Sequence, residues 1–147
     1  MIDVRSSDPV TLKGQCHCGV VRFDVTLSQG LASARRCNCS LCAMRGAVAV
    51  TAKVGELTLI SGADKLAIYR FNTGIAEHHF CTVCGIYTHH RRRSNPDELG
   101  VNVACLADLS PFDFDEVPVN EGCVHPNDSA DDSRHAIAGW LLFTPTR

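Results

Sequence analysis

The sequence predicts an all-β protein built from short strands, and three observations support this fold class. Residues 21–27 alternate apolar and polar side chains with a period of two, which is typical of a half-buried strand. Further short apolar runs follow, and turn-forming residues such as glycine, serine and asparagine separate them. Helical character is confined to two short stretches, 28–36 and 106–109. Many short strands with frequent turns favour a sandwich or a small open barrel.

The other predicted elements follow one another closely along the chain. Residues 126–133 are rich in Asp, Ser and Asn, which predicts a solvated loop. The segment 136–143 contains Trp140 and two leucines, which we expect to return to the core or to meet a partner. The remaining predicted strands are residues 47–51, 56–60, 66–71 and 101–105.

Size and charge narrow the class of protein. A length of 147 residues suits one ordinary domain, so we expect residues 1–147 to form a single unit. Lys and Arg number 14 and Asp and Glu number 16, whereas a nucleic-acid binder usually has a basic excess. No apolar run approaches the ~20 residues that span a bilayer, and residues 1–9 lack the apolar stretch of a signal peptide. We therefore expect a cytoplasmic protein without nucleic-acid or membrane partners.

Cysteine is unusually frequent, because nine of the 147 residues are Cys and seven of these fall into three tight clusters. In a reducing cytoplasm, clustered cysteines are more often metal ligands or catalytic groups than disulfides. Cys16 and Cys18 precede the first predicted strand, and Cys81 and Cys84 form a C-x-x-C-G turn. Two such pairs commonly close a tetrahedral Cys₄ zinc site. The alternatives are buried free thiols or a redox pair, although no βαβ pattern accompanies the C-x-x-C motif.

The second cluster places Cys37, Cys39 and Cys42 within six residues. Three thiolates can hold a zinc ion and leave one position open, which is the arrangement of a catalytic site. Zinc with three thiolates carries one net negative charge and suits a further soft ligand such as a substrate thiol. The alternative is a closed site that a distant residue completes. The candidates for this fourth ligand are Cys105, Cys123 and His125.

Several basic residues are further candidates for the site. The densest positive run is Arg91, Arg92 and Arg93, which we expect at a solvated strand end. The alternative is that they pair with substrate carboxylates. The same role is open to the arginines that flank the three-cysteine cluster, namely Arg35, Arg36 and Arg45.

The histidines and one further cysteine are expected to lie outside the metal sites. Seven cysteines already account for two sites, so the two histidine pairs are predicted at the surface or at the edge of the core. These pairs are His78 with His79 and His89 with His90. His17 lies between two ligands and should point away from the ion. Cys105 lies in an apolar run and is predicted to be a small buried hydrophobe.

Three cysteine motifs occur in order along the chain. They are Gly14-Gln15-Cys16-His17-Cys18-Gly19, Arg36-Cys37-Asn38-Cys39-Ser40-Leu41-Cys42 and Phe80-Cys81-Thr82-Val83-Cys84-Gly85-Ile86-Tyr87. Together with the stretches 96–106 and 122–126, they resemble the glutathione-dependent formaldehyde-activating enzyme family. The resemblance covers residues 13–126 approximately and includes the order C-x-C, C-x-C-x-x-C, C-x-x-C.

The resemblance implies an Mss4-like fold whose short antiparallel sheets are held by a Cys₄ zinc site. It implies two zinc ions per chain, a structural one at the first and third clusters and a catalytic one at the second. The structural ligands would be Cys16, Cys18, Cys81 and Cys84, and the catalytic ligands Cys37, Cys39 and Cys42. The implied activity joins glutathione to formaldehyde, a carbon–sulfur lyase reaction. Centromere protein V shares the domain, so the resemblance bears more on the metal sites than on the reaction.

Two functions follow from these patterns. In the first, the chain is an enzyme in which glutathione sulfur becomes the fourth ligand of the three-cysteine zinc and attacks formaldehyde or a related small aldehyde. The sequence identifies no general base for this reaction. In the second, the chain is a non-catalytic binding module in which both zinc sites are structural. The coordination at the second cluster would distinguish the two, because a fourth protein ligand favours the module.

Overall fold

The computed structural model describes residues 2–123 and 136–146. Within these ranges the chain is mostly β, which confirms the predicted fold class. The Mss4-like arrangement stays a prediction. The strands are β1 (Val10–Gln15), β2 (Arg22–Leu27), β3 (Arg36–Cys37), β4 (Ala49–Lys53), β5 (Leu57–Ser61), β6 (Leu66–Tyr69), β7 (Glu77–Cys81), β8 (Tyr87–Arg91), β9 (Glu98–Asn102), β10 (Glu116–Asn120) and β11 (Ile137–Leu142). The helical segments are α1 (Ser40–Arg45) and the 3₁₀ turns Leu31–Ser33, Ala63–Lys65, Val103–Cys105 and Pro111–Asp113.

The strands of the described ranges form two antiparallel sheets, of three and five strands, and one mixed sheet of three short strands. The first sheet has the order β1-β2-β5, and the five-stranded sheet has the order β4-β9-β8-β7-β6. The small sheet has the order β11-β10-β3, in which β10 and β3 run parallel. This parallel pair matches Val119 with Arg36 and Asn120 with Cys37. It therefore brings a late part of the chain beside the second cysteine cluster.

The main core lies between β2 and the five-stranded sheet. Phe23, Val25 and Leu27 alternate along β2 and are all buried, as the period of two predicts. They belong to one apolar cluster with Val50 of β4 and Val101 of β9. Burying a large apolar side chain contributes about 1.5–3 kcal/mol, so this face fixes how the first sheet sits on the second.

The helical predictions are wrong in position. The stretch 28–36 contains only the 3₁₀ turn Leu31–Ser33, and 106–109 is not helical. The α-helix is instead Ser40–Arg45, inside the second cysteine motif. Six residues are too few to show a helical period, so this helix leaves little trace in the sequence. It ends at Gly46, which has a left-handed backbone with φ of 68°.

Four predicted strands match β2, β4, β5 and β6 with boundaries shifted by one or two residues. The predicted strand 101–105 is only partly correct, because β9 ends at Asn102 and a 3₁₀ turn follows. The Asn102 side chain causes this change, since its Oδ1 accepts a hydrogen bond of 3.1 Å from the amide of Ala104.

The segment 136–143 does not return to the core. It forms β11, an edge strand paired with β10, and Trp140 is 55% exposed. The predicted loop 126–133 lies outside the described residues. Among the residues that the structure describes, no helix has the length and apolar character needed to cross a bilayer.

Candidate metal centres

The first and third cysteine clusters meet in one group of four thiols. The Sγ atoms of Cys16, Cys18, Cys81 and Cys84 all lie within 4.8 Å of one another. The Sγ atom of Cys18 is 3.6 Å from that of Cys16 and 3.8 Å from that of Cys81. Four sulfurs bound tetrahedrally to one zinc ion are about 3.8 Å apart, so this donor set fits a zinc ion.

Two tight turns aim these sulfurs at one point. Cys16 directly follows β1, and Cys81 is the last residue of β7. Cys18 and Cys84 lie in the turns that come next. Gly85 closes the second turn with φ of 79°, a conformation that side-chain-bearing residues rarely adopt. The amides of Val21 and Val83 donate hydrogen bonds of 3.4 and 3.3 Å to the sulfurs of Cys16 and Cys81. The group therefore joins the β1–β2 hairpin to the β7–β8 hairpin.

The second cluster forms a separate group of three thiols. The Sγ atoms of Cys37, Cys39 and Cys42 lie within 4.8 Å of one another and are half-buried. Cys37 ends β3, Cys39 caps helix α1, and Cys42 lies on that helix. The amides of Cys39 and Cys42 donate hydrogen bonds of 3.4 Å to the sulfurs of Cys37 and Cys39. Local backbone geometry thus gathers the three donors.

The protonation of these three thiols is mutually dependent. Hydrogen bonds from Cys37 and Cys42 lower the pKa of Cys39 to about 2. The contact with Cys39 raises the pKa of Cys37, and the contacts with Cys37 and Cys39 raise the pKa of Cys42. One thiolate is therefore favoured at the expense of its neighbours. A divalent cation would remove this conflict, because it stabilises all three thiolates together.

Gly122 packs directly against the three-cysteine group, which the sequence reasoning did not single out. A Cβ atom built on Gly122 would clash with Cys37 Sγ and lie 3.0 Å from the Cβ of Cys39. The amide of Gly122 donates a hydrogen bond of 2.7 Å to Asn38 Oδ1. Only this close approach shows that Gly122 belongs to the site. The approach depends on the long-range pairing of β3 with β10.

The proposed fourth protein ligands do not join this group among the described residues. Cys105 is buried, as predicted, and its thiol donates to the Tyr87 carbonyl at 3.5 Å. Burial raises the pKa of Cys105 to about 12. The thiol of Cys123 donates to the Asn38 carbonyl at 3.3 Å and is exposed. His125 lies outside the described residues.

A cavity of about 890 Å³ opens beside the three-cysteine group. Its charged lining includes the arginines Arg35, Arg36, Arg45, Arg92 and Arg93 and the glutamates Glu98 and Glu121. The three cysteines line the same cavity. Positive side chains therefore surround the candidate metal centre.

Arg92 contradicts the prediction of a solvated strand end. Its side chain is only 6% exposed, and its Nη1 atom donates to Thr51 Oγ1 at 2.9 Å and to Glu98 Oε1 at 3.3 Å. Burial and the neighbouring charge of Arg35 lower the pKa of Arg92 to about 10. Arg91 is exposed, as expected. The difference arises because successive residues of this strand end point to opposite sides.

Two histidines of the five-stranded sheet also line the cavity, so of the two predicted positions, the surface and the edge of the core, they do not occupy the surface. His78 is 7% exposed and stacks on His90 across the strands, with ring centroids 5.0 Å apart. The Nδ1 atom of His90 lies 2.6 Å from the Tyr87 hydroxyl. Burial, with the charge of Arg45, lowers the pKa of His78 to about 4, and burial holds the pKa of His90 well below its usual value.

The other two histidines form a second stacked pair, whose centroids are 4.2 Å apart. His89 is buried near Phe23, and His79 is half-buried. His17, between two cysteines of the first cluster, is exposed. None of these histidines belongs to either sulfur group in the described part of the chain.

These features define a class of protein: a small β protein with one group of four cysteine sulfurs and one group of three beside a positively lined cavity. The chain belongs to the family described as glutathione-dependent formaldehyde-activating enzyme, which matches residues 11–118.

Known proteins resemble the chain in sequence and in structure. It is 38% identical over 81 residues to a Halomonas elongata protein named "Putative glutathione-dependent formaldehyde-activating enzyme". That match covers 50% of this chain and 51% of the other, so the chain matches about half the length of this curated relative. A crystal structure of a Rhodobacter sphaeroides protein matches with a TM-score of 0.72 and 55% sequence identity. The structural match covers 74% of this chain and 99% of the Rhodobacter sphaeroides chain.

Proposed function

We propose that the chain is a zinc-dependent enzyme of the carbon–sulfur lyase type that adds the thiol of glutathione to formaldehyde or a related small aldehyde. One observation carries the proposal: a group of three half-buried cysteine sulfurs lines a cavity rich in arginine, in a chain of this family. We further infer that residues 1–147 act as one zinc-binding domain, with a core at about 13–126. We infer a cytoplasmic location, because cysteines that hold a metal ion stay reduced in that compartment.

The two sulfur groups suit different tasks. Cys16, Cys18, Cys81 and Cys84 would close a structural zinc site, because four protein donors complete the tetrahedron. The group of three at Cys37, Cys39 and Cys42 would hold a second zinc ion and leave one position for a ligand. Zinc bound there would supply a Lewis acid that stabilises the thiolate form of a bound thiol.

The cavity charge favours glutathione as the thiol. In the described lining, arginines outnumber glutamates by three. Glutathione has two carboxylates and one ammonium group, so its thiolate form is a dianion. A cavity with excess positive charge attracts such a ligand and lowers its cost of desolvation. Arginine guanidiniums also match carboxylates in geometry, since they donate two parallel hydrogen bonds.

The proposed reaction requires mainly that the glutathione sulfur is bound and ionised. The sulfur electron pair attacks the aldehyde carbon and forms the new carbon–sulfur bond. The π electrons of the carbonyl group move to its oxygen, which takes a proton from water to become the hydroxyl group of the S-hydroxymethyl product. The protein would contribute by orienting the thiol and keeping it ionised.

The alternative function, a zinc-stabilised binding module, has one feature in its favour. Strand β11 lies at a sheet edge and exposes Ile137, Trp140 and Leu142. Exposed apolar edge strands are common binding surfaces. The module would need no thiol ligand at the three-cysteine group, so thiol binding separates the two functions.

Titration calorimetry on the zinc-loaded protein tests the proposed function. We expect two zinc ions per chain after reconstitution under reducing conditions, and we expect glutathione to bind. S-methylglutathione keeps the peptide and its carboxylates but cannot form a thiolate, so it should bind at least about 10-fold more weakly. Equal affinities would show that the peptide, and not the sulfur, determines binding. Absence of binding by glutathione would favour the module or another thiol.

A further inference from the structure

Arg45 connects the three-cysteine group to the histidines of the cavity. It is the last residue of α1, one turn after Cys42. Its Nη2 atom donates to Cys42 Sγ at 3.6 Å, and its Nη1 atom lies 3.0 Å from Nδ1 of His78 on β7. Its guanidinium carbon stands 3.6 Å from the centre of the Tyr87 ring on β8. Three elements therefore fix the position of one positive charge.

The contact with His78 also determines which histidine atom carries the proton. A guanidinium group donates hydrogen bonds and never accepts them. Nδ1 of His78 must therefore accept, which leaves the imidazole neutral with its proton on Nε2. The ring itself is held by stacking between Phe71 and His90, at centroid distances of 5.8 and 5.0 Å. His78 is thus a rigid acceptor that orients the guanidinium without competing for its charge.

The charge of the metal centre explains why such a guanidinium matters. A divalent ion with three thiolates has one net negative charge, and a fourth thiolate would add another. Repulsion in a half-buried site opposes this ligand more strongly than it would in water. A guanidinium in contact with Cys42 Sγ offsets part of the negative charge and weakens the electron donation of that sulfur. A neutral fourth ligand, such as imidazole, would gain no comparable benefit.

We propose that Arg45 is the specificity-determining residue that allows the three-cysteine metal site to accept an anionic thiolate as its fourth ligand, and that His78 and Tyr87 are its positioning residues. This inference rests on the proposed function, because it assumes that a thiol binds at this site. It goes beyond that function in assigning the choice of a thiolate over a neutral ligand to one side chain.

Cobalt-substituted protein provides the test, because the visible absorption of Co²⁺ reports its ligands directly. The probes are 2-mercaptoethanol, which offers a thiolate without any carboxylate, and imidazole, which offers a neutral nitrogen. Arg45→Gln should weaken 2-mercaptoethanol binding by about 10-fold to 100-fold, the range of one charge-assisted hydrogen bond. Imidazole affinity should change less than about 2-fold. Arg45→Lys should restore part of the thiolate affinity.

Variants of neighbouring residues separate charge from folding. Arg91→Gln removes an exposed arginine that is not among the described lining residues of the cavity, and it should leave 2-mercaptoethanol affinity nearly unchanged. His78→Asn keeps an acceptor near Nδ1 and should bind the thiolate more tightly than His78→Leu. Equal losses for 2-mercaptoethanol and imidazole in Arg45→Gln would overturn the inference, since they would indicate general damage to the site.

Two further outcomes distinguish this inference from the proposed function. If glutathione affinity falls in Arg45→Gln but 2-mercaptoethanol affinity does not, Arg45 recognises a carboxylate, and the inference is wrong while the proposed function stands. If no thiol changes the Co²⁺ spectrum of the unmodified protein, both are wrong.

Discussion

Gly122 shows how a single missing side chain shapes the three-cysteine group. Its backbone lies so close to the sulfur of Cys37 that a Cβ atom would clash. We expect Gly122→Ala to displace Cys37 or the β10 end, and to weaken metal binding at this group by about 10-fold or more. The four-cysteine group should keep its metal. Chelator competition, followed by metal analysis, measures the two affinities.

Gly139→Ala is the matched control for this substitution. Gly139 lies on β11, and no atom of the residues that the structure describes stands within 4 Å of a Cβ atom built there. Metal affinity should therefore stay at the unmodified value. An unchanged affinity in Gly122→Ala as well would mean that the backbone around residues 120–122 yields without moving the sulfurs.

At the scale of elements, strands β7 and β8 hold buried neutral histidines that make stability depend on pH. Burial, with the charge of His79, lowers the pKa of His89 from 6.5 to about 3. Below about pH 6.5, the His89 imidazole therefore binds a proton in the unfolded chain but stays neutral in the folded chain. The stability contributed by neutral His89 is complete above that pH and is lost as the pH falls toward the pKa of His89 in the folded chain.

This difference predicts the behaviour of His89→Asn, which keeps a hydrogen-bonding partner for the Thr88 hydroxyl but cannot titrate. Between about pH 7 and about pH 5.5, the free energy of unfolding of the unmodified protein should fall by about 1 kcal/mol more than that of the variant, as measured by urea unfolding. Zinc content must be equal at both pH values, because thiolate ligands also take up protons in acid. Parallel pH dependences would show that His89 protonates readily inside the fold.

For the whole molecule, the four-cysteine group joins parts of the chain that are far apart in sequence. It ties β1–β2 to β7–β8, whereas the three-cysteine group gathers donors from six neighbouring residues. Metal bound at the first group therefore restrains a much longer loop of the unfolded chain. We expect Cys81→Ser to lower the melting temperature more than Cys39→Ser, as measured by thermal unfolding of both zinc-loaded variants. Similar melting temperatures would mean that both groups stabilise the fold equally.

The sequence determined the fold class and the division of seven cysteines into four and three. Both depend on short-range spacing: the alternation at 21–27 predicts β2, and C-x-C or C-x-x-C motifs place donors on one turn whatever the rest of the chain does. Local hydrogen bonds bring Cys37, Cys39 and Cys42 together, so the spacing in the sequence was enough to predict this cluster.

Only the tertiary structure decided what surrounds that cluster. Cys37 meets Gly122 because β3 pairs with β10, and Arg45 meets His78 because its long side chain reaches from the end of α1 to β7. These contacts join residues more than thirty positions apart, and no periodicity of a single element encodes them. The burial of Arg92 has the same origin, since its counter-groups Thr51 and Glu98 lie on other strands. Arg92 belongs to a charge run that the sequence alone predicts to be solvated, but it lines the cavity because sheet pairing supplies those partners.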